Sequence, residues 1–375
     1  MIDFNRPYLV GTEFSYINEA YKNAQISGDG EFTKRCQHFL EDYFGSAKVL
    51  LTTSCTHALE LSALLLDFQP GDEVIIPSFT FVSTVNAFVL RGAKPVFVDI
   101  RPDTLNMDEK QLENLITTRT KAVVPVHYAG VGCEMHAIQE IAKKHNIFIV
   151  EDNAHGLFGK YQGKPLGSFG SMATQSFHET KNVSCGEGGA LVINDPYLVE
   201  RAEIMREKGT NRSRFFRGMV DKYTWVDIGS SFLPSDILAA VLWSQLEVWE
   251  RIQNHRRNVW DFYQSNLAGW AKENQCRLPE IPGYCEQAYH MFYLLLPNLE
   301  TRQRFIAHLK QNKVHAVFHY LPLHLSDMGL KFGGKPGDCP VTENISDRLV
   351  RLPFHNTITL DEQARVIEAI YAFKF

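Results

Sequence analysis

The chain has 375 residues, 45% of them hydrophobic, with 38 lysine and arginine side chains against 43 aspartate and glutamate, a formal net charge of −5 at pH 7. That length and apolar share can fill two domain cores, or one large core with an appendage, and the acidic balance excludes a general nucleic-acid binder, which needs a basic excess to neutralise phosphates. No apolar run approaches the roughly 20 residues of a membrane span, the start Met1-Ile2-Asp3-Phe4 lacks a signal-peptide core, and seven dispersed cysteines without a C-x-x-C pair predict reduced thiols in the cytoplasm, not a disulfide framework or zinc site.

Residues 1 to about 25 read as an arm and a first helix, Thr12 to Lys22, ended by Gly28-Asp29-Gly30. Apolar residues at Phe32, Cys36, Phe39, Leu40 and Tyr43 have helical spacing over Phe32 to Phe44. Val49-Leu50-Leu51-Thr52 reads as a buried strand running into Thr53-Ser54-Cys55-Thr56 and an apolar helix, His57 to Leu66. Such a hydroxyl-rich helix start is either an ordinary cap or an anion site, where free N–H groups and the helix dipole face one point. Glu73 to Pro77 is a strand after the turn Gln69-Pro70-Gly71-Asp72, and Thr80 to Leu90 is a helix opening with Phe81. Further strands are expected at Pro95 to Ile100 and Ala122 to His127, with helices at Asp108 to Leu115 and Met135 to His145.

The strand Ile147-Phe148-Ile149-Val150 then ends on Glu151-Asp152, which is how a buried parallel strand reaches its C-terminal edge. Ligands of open α/β sheets gather at that edge. Successive strand residues point to opposite faces, so only one of the two carboxylates serves a site there, and Asp152 is the candidate. Met172 to Phe177 is another short strand, leading to His178-Glu179-Thr180-Lys181-Asn182, the turn Gly186-Glu187-Gly188-Gly189 and the strand Ala190 to Asn194. A lone lysine is usually an ordinary surface residue. Beside a strand end and a flexible turn, its amine can instead form a Schiff base with an aldehyde cofactor.

A helix Pro196 to Lys208 precedes a basic loop with Arg212, Arg214, Arg217 and Lys222, which is either solvated or a contact for a diphosphate or a partner subunit. A long helix from about Asp236 to Ser265 carries the chain into a smaller region with strand candidates Tyr289 to Leu295 and Ala316 to His319 and helices Arg302 to Gln311 and Leu360 to Phe373. The strand-then-helix rhythm predicts a mainly parallel sheet covered on both faces. We place the domains at 1–245, an N-terminal arm with the large α/β domain, and 246–375, a smaller α+β domain. The segment 186–191 lacks the third glycine of a dinucleotide fingerprint, Gly163-Lys164-Pro165 is no P-loop, and the histidines show no metal-ligand spacing.

Taken with Gly28-Asp29-Gly30, Pro77-Ser78-Phe79-Thr80-Phe81-Val82-Ser83, Val126-His127-Tyr128-Ala129-Gly130, Glu207-Lys208-Gly209-Thr210-Asn211-Arg212 and Val317-Phe318-His319-Tyr320, the Asp152 and Lys181 stretches resemble the DegT/StrS-type sugar-nucleotide aminotransferases. These belong to the aspartate-aminotransferase superfamily (pyridoxal-phosphate fold type I), and the resemblance spans almost the whole chain. It implies a seven-stranded, mainly parallel sheet between helices and pyridoxal 5'-phosphate as cofactor, with pyridoxamine phosphate as reaction intermediate. It makes Lys181 and Asp152 the catalytic pair. Ser54, Cys55, Thr56 and Ser176 become the phosphate site, His155 a neighbour of the ring hydroxyl, and Phe81 the apolar face for the ring.

In many relatives a neighbouring subunit offers an asparagine to the phosphate from Gly-x-Asn-x-Arg. Here the segment is Gly229-Ser230-Ser231-Phe232-Leu233, so Ser231 stands in the asparagine slot of a shared homodimer site. The likeness further implies sugar contacts from His319, Tyr320, His324, Arg212 and Glu187. It is nearest to the branch that uses glutamate to aminate C4 of dTDP-4-keto-6-deoxyglucose, giving dTDP-4-amino-4,6-dideoxygalactose for enterobacterial common antigen or O-antigen. Amination at C3, or equatorially at C4, stays open, as does a regulatory protein that binds the cofactor without turnover. A dehydratase of the same family would carry histidine at position 181, where this chain has lysine.

Overall fold

The computed structural model describes residues 1–375. Seven strands form the central sheet: β1 (Lys48–Thr52), β2 (Glu73–Pro77), β3 (Lys94–Val98), β4 (Thr120–Val123), β5 (Phe148–Asp152), β6 (Met172–Ser176) and β7 (Gly189–Ile193). Their spatial order is β1-β7-β6-β5-β4-β2-β3. Every neighbouring pair is parallel except those that involve β7, which is antiparallel to both β1 and β6. A single reversed strand keeps the other six pointing one way. The ends of β1, β2, β5 and β6 and the start of β7 therefore share one edge.

Side-chain alternation feeds two cores from one sheet. Leu50, Leu191 and Ile193 pack on one face with the helix Cys55–Leu65, whereas Val49, Leu51, Ala190 and Val192 pack on the other with the helices Glu31–Phe44 and Asp236–Leu246. A separate core lies beyond the sheet. It joins Val259, Tyr263, Trp270, Phe292, Phe305, Val350 and Ile370, and Ile2 of the N-terminal arm completes it.

Two buried carboxylates stitch distant helices together. Asp236 accepts the N–H groups of Phe32 and Thr33 and the Thr33 hydroxyl, and Asp99 accepts those of Val341 and Thr342 and the Thr342 hydroxyl. Each satisfies orphan donors at a helix start.

Several expected elements differ. The long helix is two, Asp236–Leu246 and Trp249–Glu273; the break at Val248 lets Trp249 stack on Phe158, with centroids 4.4 Å apart. The helix at Asp108 to Leu115 reduces to a 3₁₀ turn and one α turn. β4 ends at Val123, and past Pro125, which has no N–H to give, pairing resumes only as a bridge between Val126 and Asp152. The basic loop contains a short helix, Arg212–Phe216. Ala316 to His319 makes only one bridge, Val317 to Arg351, because the chain turns away at Tyr320, whose φ is +39°. The seven cysteines are all free. No helix is long and apolar enough to cross a membrane.

Candidate active site

The shared edge concentrates the candidates. β1 delivers Thr52 against Gly189, and Gly189 also pairs with Ser176, so three strands meet beside Ser54. A Cβ at Gly189 would lie 2.4 Å from the Cys55 nitrogen, so glycine is what lets the backbone pass. Ser54 caps the helix Cys55–Leu65, accepting the His57 N–H at 3.1 Å. Cap and anion site coexist: the N–H groups of Cys55 and Thr56 lie in the first turn, where no intrahelical acceptor exists, and Ser176 ends β6 next to them. Thr56 spends its hydroxyl on Ser83, at 2.8 Å.

Lys181 hangs in the loop between β6 and β7. The loop is closed at its base by the Phe177 N–H to Gly188 and the Glu179 N–H to Gly186. Burial pulls the Lys181 amine down to about 8 and Arg351 adds to the lowering, while Cys55 and Asp152 push back up. The amine therefore sits near the pH at which it can both hold and release a proton. Asp152 ends β5, accepting the Thr84 hydroxyl at 2.7 Å on Oδ2 and the Ala154 N–H at 3.1 Å on Oδ1. Glu151 turns to the other face as alternation requires, where it binds His127 and the N–H groups of Gly167, Phe169 and Gly170. The Cys55 thiol is pushed up to about 12 by burial, and so stays protonated near Asp152 and Lys181.

Around this pair stand rings. His155 is neutral, its pKa driven well below the usual range by burial first and then by Lys181 and Arg351, and its buried Nδ1 has no partner. Phe81, at the start of the helix Val82–Val89, leaves 56% of its surface exposed, with the Tyr320 ring 6.3 Å away. Ala154, His155, Ser176 and Lys181 line one hollow. A phosphorylated pyridine aldehyde fits these groups: an amine for the aldehyde, a carboxylate for the ring nitrogen, a hydroxyl and N–H cradle for the phosphate, and an orphaned imidazole nitrogen for a ring substituent.

The remaining candidates divide. His319 and Tyr320 lie near His155, with ring centroids 6.1 and 6.5 Å from its own; the two rings stack with centroids 3.5 Å apart, and the Tyr128 hydroxyl meets His319 Nδ1 at 2.8 Å. His324 corrects the expectation. It is fully buried with Nδ1 on the Ser78 hydroxyl and Nε2 on Glu343, so neither nitrogen is left for a sugar. Glu187 is exposed on the Lys181 loop, 3.7 Å from His178. Arg212 pairs with Glu207, and Ser231 bridges to Glu207, so within one chain both lie with that residue rather than with Lys181. The next residue, Phe232, accepts the Thr53 N–H, which brings the Ser231 segment alongside the cradle.

Four participants carry no local sequence signal: Thr84 on Asp152, Ala154 in the hollow, His290 stacked on His155, and Arg351. Arg351 is the unexpected charge. Burial lowers its pKa, its Nε has no acceptor, and no carboxylate pairs with it.

Solved structures share this fold. The aminotransferase TlmJ from Streptoalloteichus hindustanus superposes with a TM-score of 0.90 at 28% identity, covering 99% of this chain and 98% of its own. Spr1654 from Streptococcus pneumoniae, solved in apo, PLP and PMP forms, reaches 0.92 in the PMP form at 27% identity, with 99% and 98% coverage. The fold is that of the fold-type-I pyridoxal-phosphate enzymes, and the cofactor is pyridoxal phosphate. Among curated relatives, GDP-perosamine synthase of Caulobacter vibrioides is 32% identical over 97% of this chain and 96% of its own. The Bacillus subtilis spore coat polysaccharide biosynthesis protein SpsC is 30% identical over 98% and 96%. The family model described as the DegT/DnrJ/EryC1/StrS aminotransferase family matches residues 7–371, and the chain belongs to that family.

Proposed function

We propose that the protein moves the amino group of glutamate to C4 of dTDP-4-keto-6-deoxyglucose, forming dTDP-4-amino-4,6-dideoxygalactose for a surface polysaccharide. The observation that carries an amino-transfer reading is the hollow that Lys181 shares with Ser176 and His155, beside the strand end that carries Asp152. The sugar assignment rests on the motif likeness around Phe318-His319-Tyr320. Bound pyridoxal phosphate supplies the electron sink for amino transfer. Lys181 carries the proton at the amine-bearing carbon, since its amine is basic enough to take one and acidic enough to return it. Asp152 faces the ring nitrogen and favours its charged form. Ser54, Ser176 and the Cys55 and Thr56 N–H groups hold the phosphate, and Phe81 covers the ring. Arg351, a cation without a partner carboxylate, receives a carboxylate of the donor. His319 and Tyr320 lie over the sugar. Ser231, exposed on its own chain, serves the phosphate of a second copy across a homodimer, with Arg212 and Glu187 toward the nucleotide end. We draw the domain boundary at 245, just before the helix break at Val248.

A second reading has specific support: relatives named GDP-perosamine synthase match at 32% and 29% identity, so the carrier is GDP on this reading. The test is incubation with pyridoxal phosphate, glutamate and either the dTDP- or the GDP-linked 4-keto-6-deoxy sugar, reading the product by mass and proton NMR. An axial C4 amine on the dTDP sugar supports the first reading. An equatorial or C3 amine, or product from the GDP sugar alone, replaces it. No amination of any nucleotide sugar by protein loaded with cofactor would leave the regulatory alternative.

A further inference from the structure

Asn182 follows the reactive lysine directly and is 4% exposed. Its Nδ2 donates to the Ala288 carbonyl at 2.6 Å and to Gln253 Oε1 at 3.0 Å. A backbone carbonyl only accepts, so the amide orientation is decided, and Oδ1 must face His290 Nδ1 at 2.9 Å. His290 therefore holds its proton on Nδ1. The Asn182 carbonyl accepts from Asn356 Nδ2 at 2.9 Å, and Asn356 is gripped in turn by the buried Arg256 at 2.7 Å. Arg256 also donates to the His290 carbonyl at 2.6 Å. All four groups that hold Asn182 lie beyond residue 245. The peptide after Lys181 is thus moored to the C-terminal region, not to the sheet that carries the rest of the site.

The mooring has a second arm. The His290 ring lies on His155, with centroids 4.2 Å apart and planes within 16°. His155 is the ring whose Nδ1 is buried without a partner. One histidine thereby fixes both the residue beside Lys181 and the imidazole across from it. Both ends of the Asn182 amide have partners, so that side chain has one low-energy arrangement.

We propose that Asn182 and His290 are positioning residues, which aim the Lys181 amine and level the His155 ring by tying both to the C-terminal region. Both residues line the hollow that holds His155, Ser176 and Lys181, and the role assigned to them is to act through Lys181 and His155. The proposal rests on Lys181 being the cofactor lysine, and not on which sugar is aminated.

The test compares His290→Phe, which keeps a ring on His155 and loses the N–H donor, with His290→Gln, which keeps a donor and loses the ring, alongside Asn182→Ala and the peripheral Asn356→Ala. The readout is the pH titration of the visible absorption band of the bound cofactor, with no sugar present. The groups facing Lys181 are Asp152, Cys55, Arg351, His155, His290 and His319, and of these only His290 is altered. We expect His290→Phe and Asn182→Ala to move the titration midpoint by half a pH unit or more, and kcat to fall at least tenfold with KM for the nucleotide sugar within twofold. His290→Gln should restore the midpoint in part. Should His290→Phe and Asn356→Ala fold, lose thermal stability and yet titrate like the parent, the network is domain glue alone and the proposal fails. Since the spectral titration needs no sugar, a wrong sugar assignment leaves this result standing.

Discussion

Thr84 donates its hydroxyl to Oδ2 of Asp152 across 2.7 Å, from a helix that begins five sequence positions after β2 ends to a strand two places along the sheet order. The bond fixes which way the carboxylate faces. Asp152→Asn should therefore fold and still bind cofactor, yet lose about 10²–10⁴ in turnover, since an amide cannot favour a protonated ring nitrogen. Thr84→Val removes a hydrogen bond to a charged group, typically about 1.5–3 kcal/mol, and should cost about tenfold or somewhat more. Steady-state kinetics with the preferred keto sugar measure both. An Asp152→Asn protein of parental kcat would remove Asp152 from the chemistry.

Gly189 gives a prediction about shape. A Cβ there would stand 2.3 Å from the Ser54 carbonyl carbon, which nothing but a backbone shift relieves. Gly189→Ala should weaken pyridoxal phosphate binding by more than tenfold, because the shift pulls Ser54 away from Ser176. Fluorescence titration of the apo protein reads the affinity, and an unchanged value would show that the phosphate sits elsewhere.

The lowered Lys181 pKa sets a pH dependence. The amine reacts only when neutral, and with a pKa of about 8 roughly a tenth of it is neutral at pH 7. At the ordinary lysine value of 10.5 the fraction would be roughly 300-fold smaller. Capture of pyridoxal phosphate should accelerate from pH 6 to about 8 and then level. The same shift disfavours the folded apo protein below pH 8, where the buried amine must charge, and this penalty fades as pH rises towards 10.5. Stopped-flow absorbance follows the capture. A rate still climbing tenfold per unit above pH 9 would mean an unperturbed lysine.

Arg351 discriminates between the two substrates. Arg351→Gln should raise the KM for glutamate by tenfold or more and leave the KM for the nucleotide sugar within about twofold, as lost charge-assisted pairing predicts. The opposite split would assign Arg351 to the nucleotide diphosphate instead.

How far the sequence reached follows from the range of each interaction. The strand end was legible because an apolar run announces it; alternation leaves room for only one of Glu151 and Asp152, and the family likeness picks Asp152. Lys181 was legible only through the company of glycines and a family likeness. His290 and Asn182 are 108 positions apart, and neither has a neighbour in sequence that hints at the pairing. Arg351 looks like any arginine until burial strips it of partners. His324 misled for the converse reason: it belongs to a recognisable segment, but Ser78 and Glu343 consume both its nitrogens. The helix break at Val248 has no mark in the sequence because apolar spacing continues through it, and only the packing of Trp249 on Phe158 calls for the turn.

The reversed strand has a consequence for synthesis. β1 is an edge strand whose only ladder partner is β7, and Thr52 meets Gly189 after 189 − 52 = 137 further positions. At about 5–20 residues per second, a growing chain carries Val49, Leu50 and Leu51 unpaired for roughly 7 to 27 s. Through that interval the strand is a bare adhesive edge, and the phosphate cradle at its end does not exist. The site is thus assembled late, by a strand added from the far side of the lysine loop. Ribosome-bound chains halted at residue 180 should be cut readily by protease near residue 50, and chains halted well past 193 should resist.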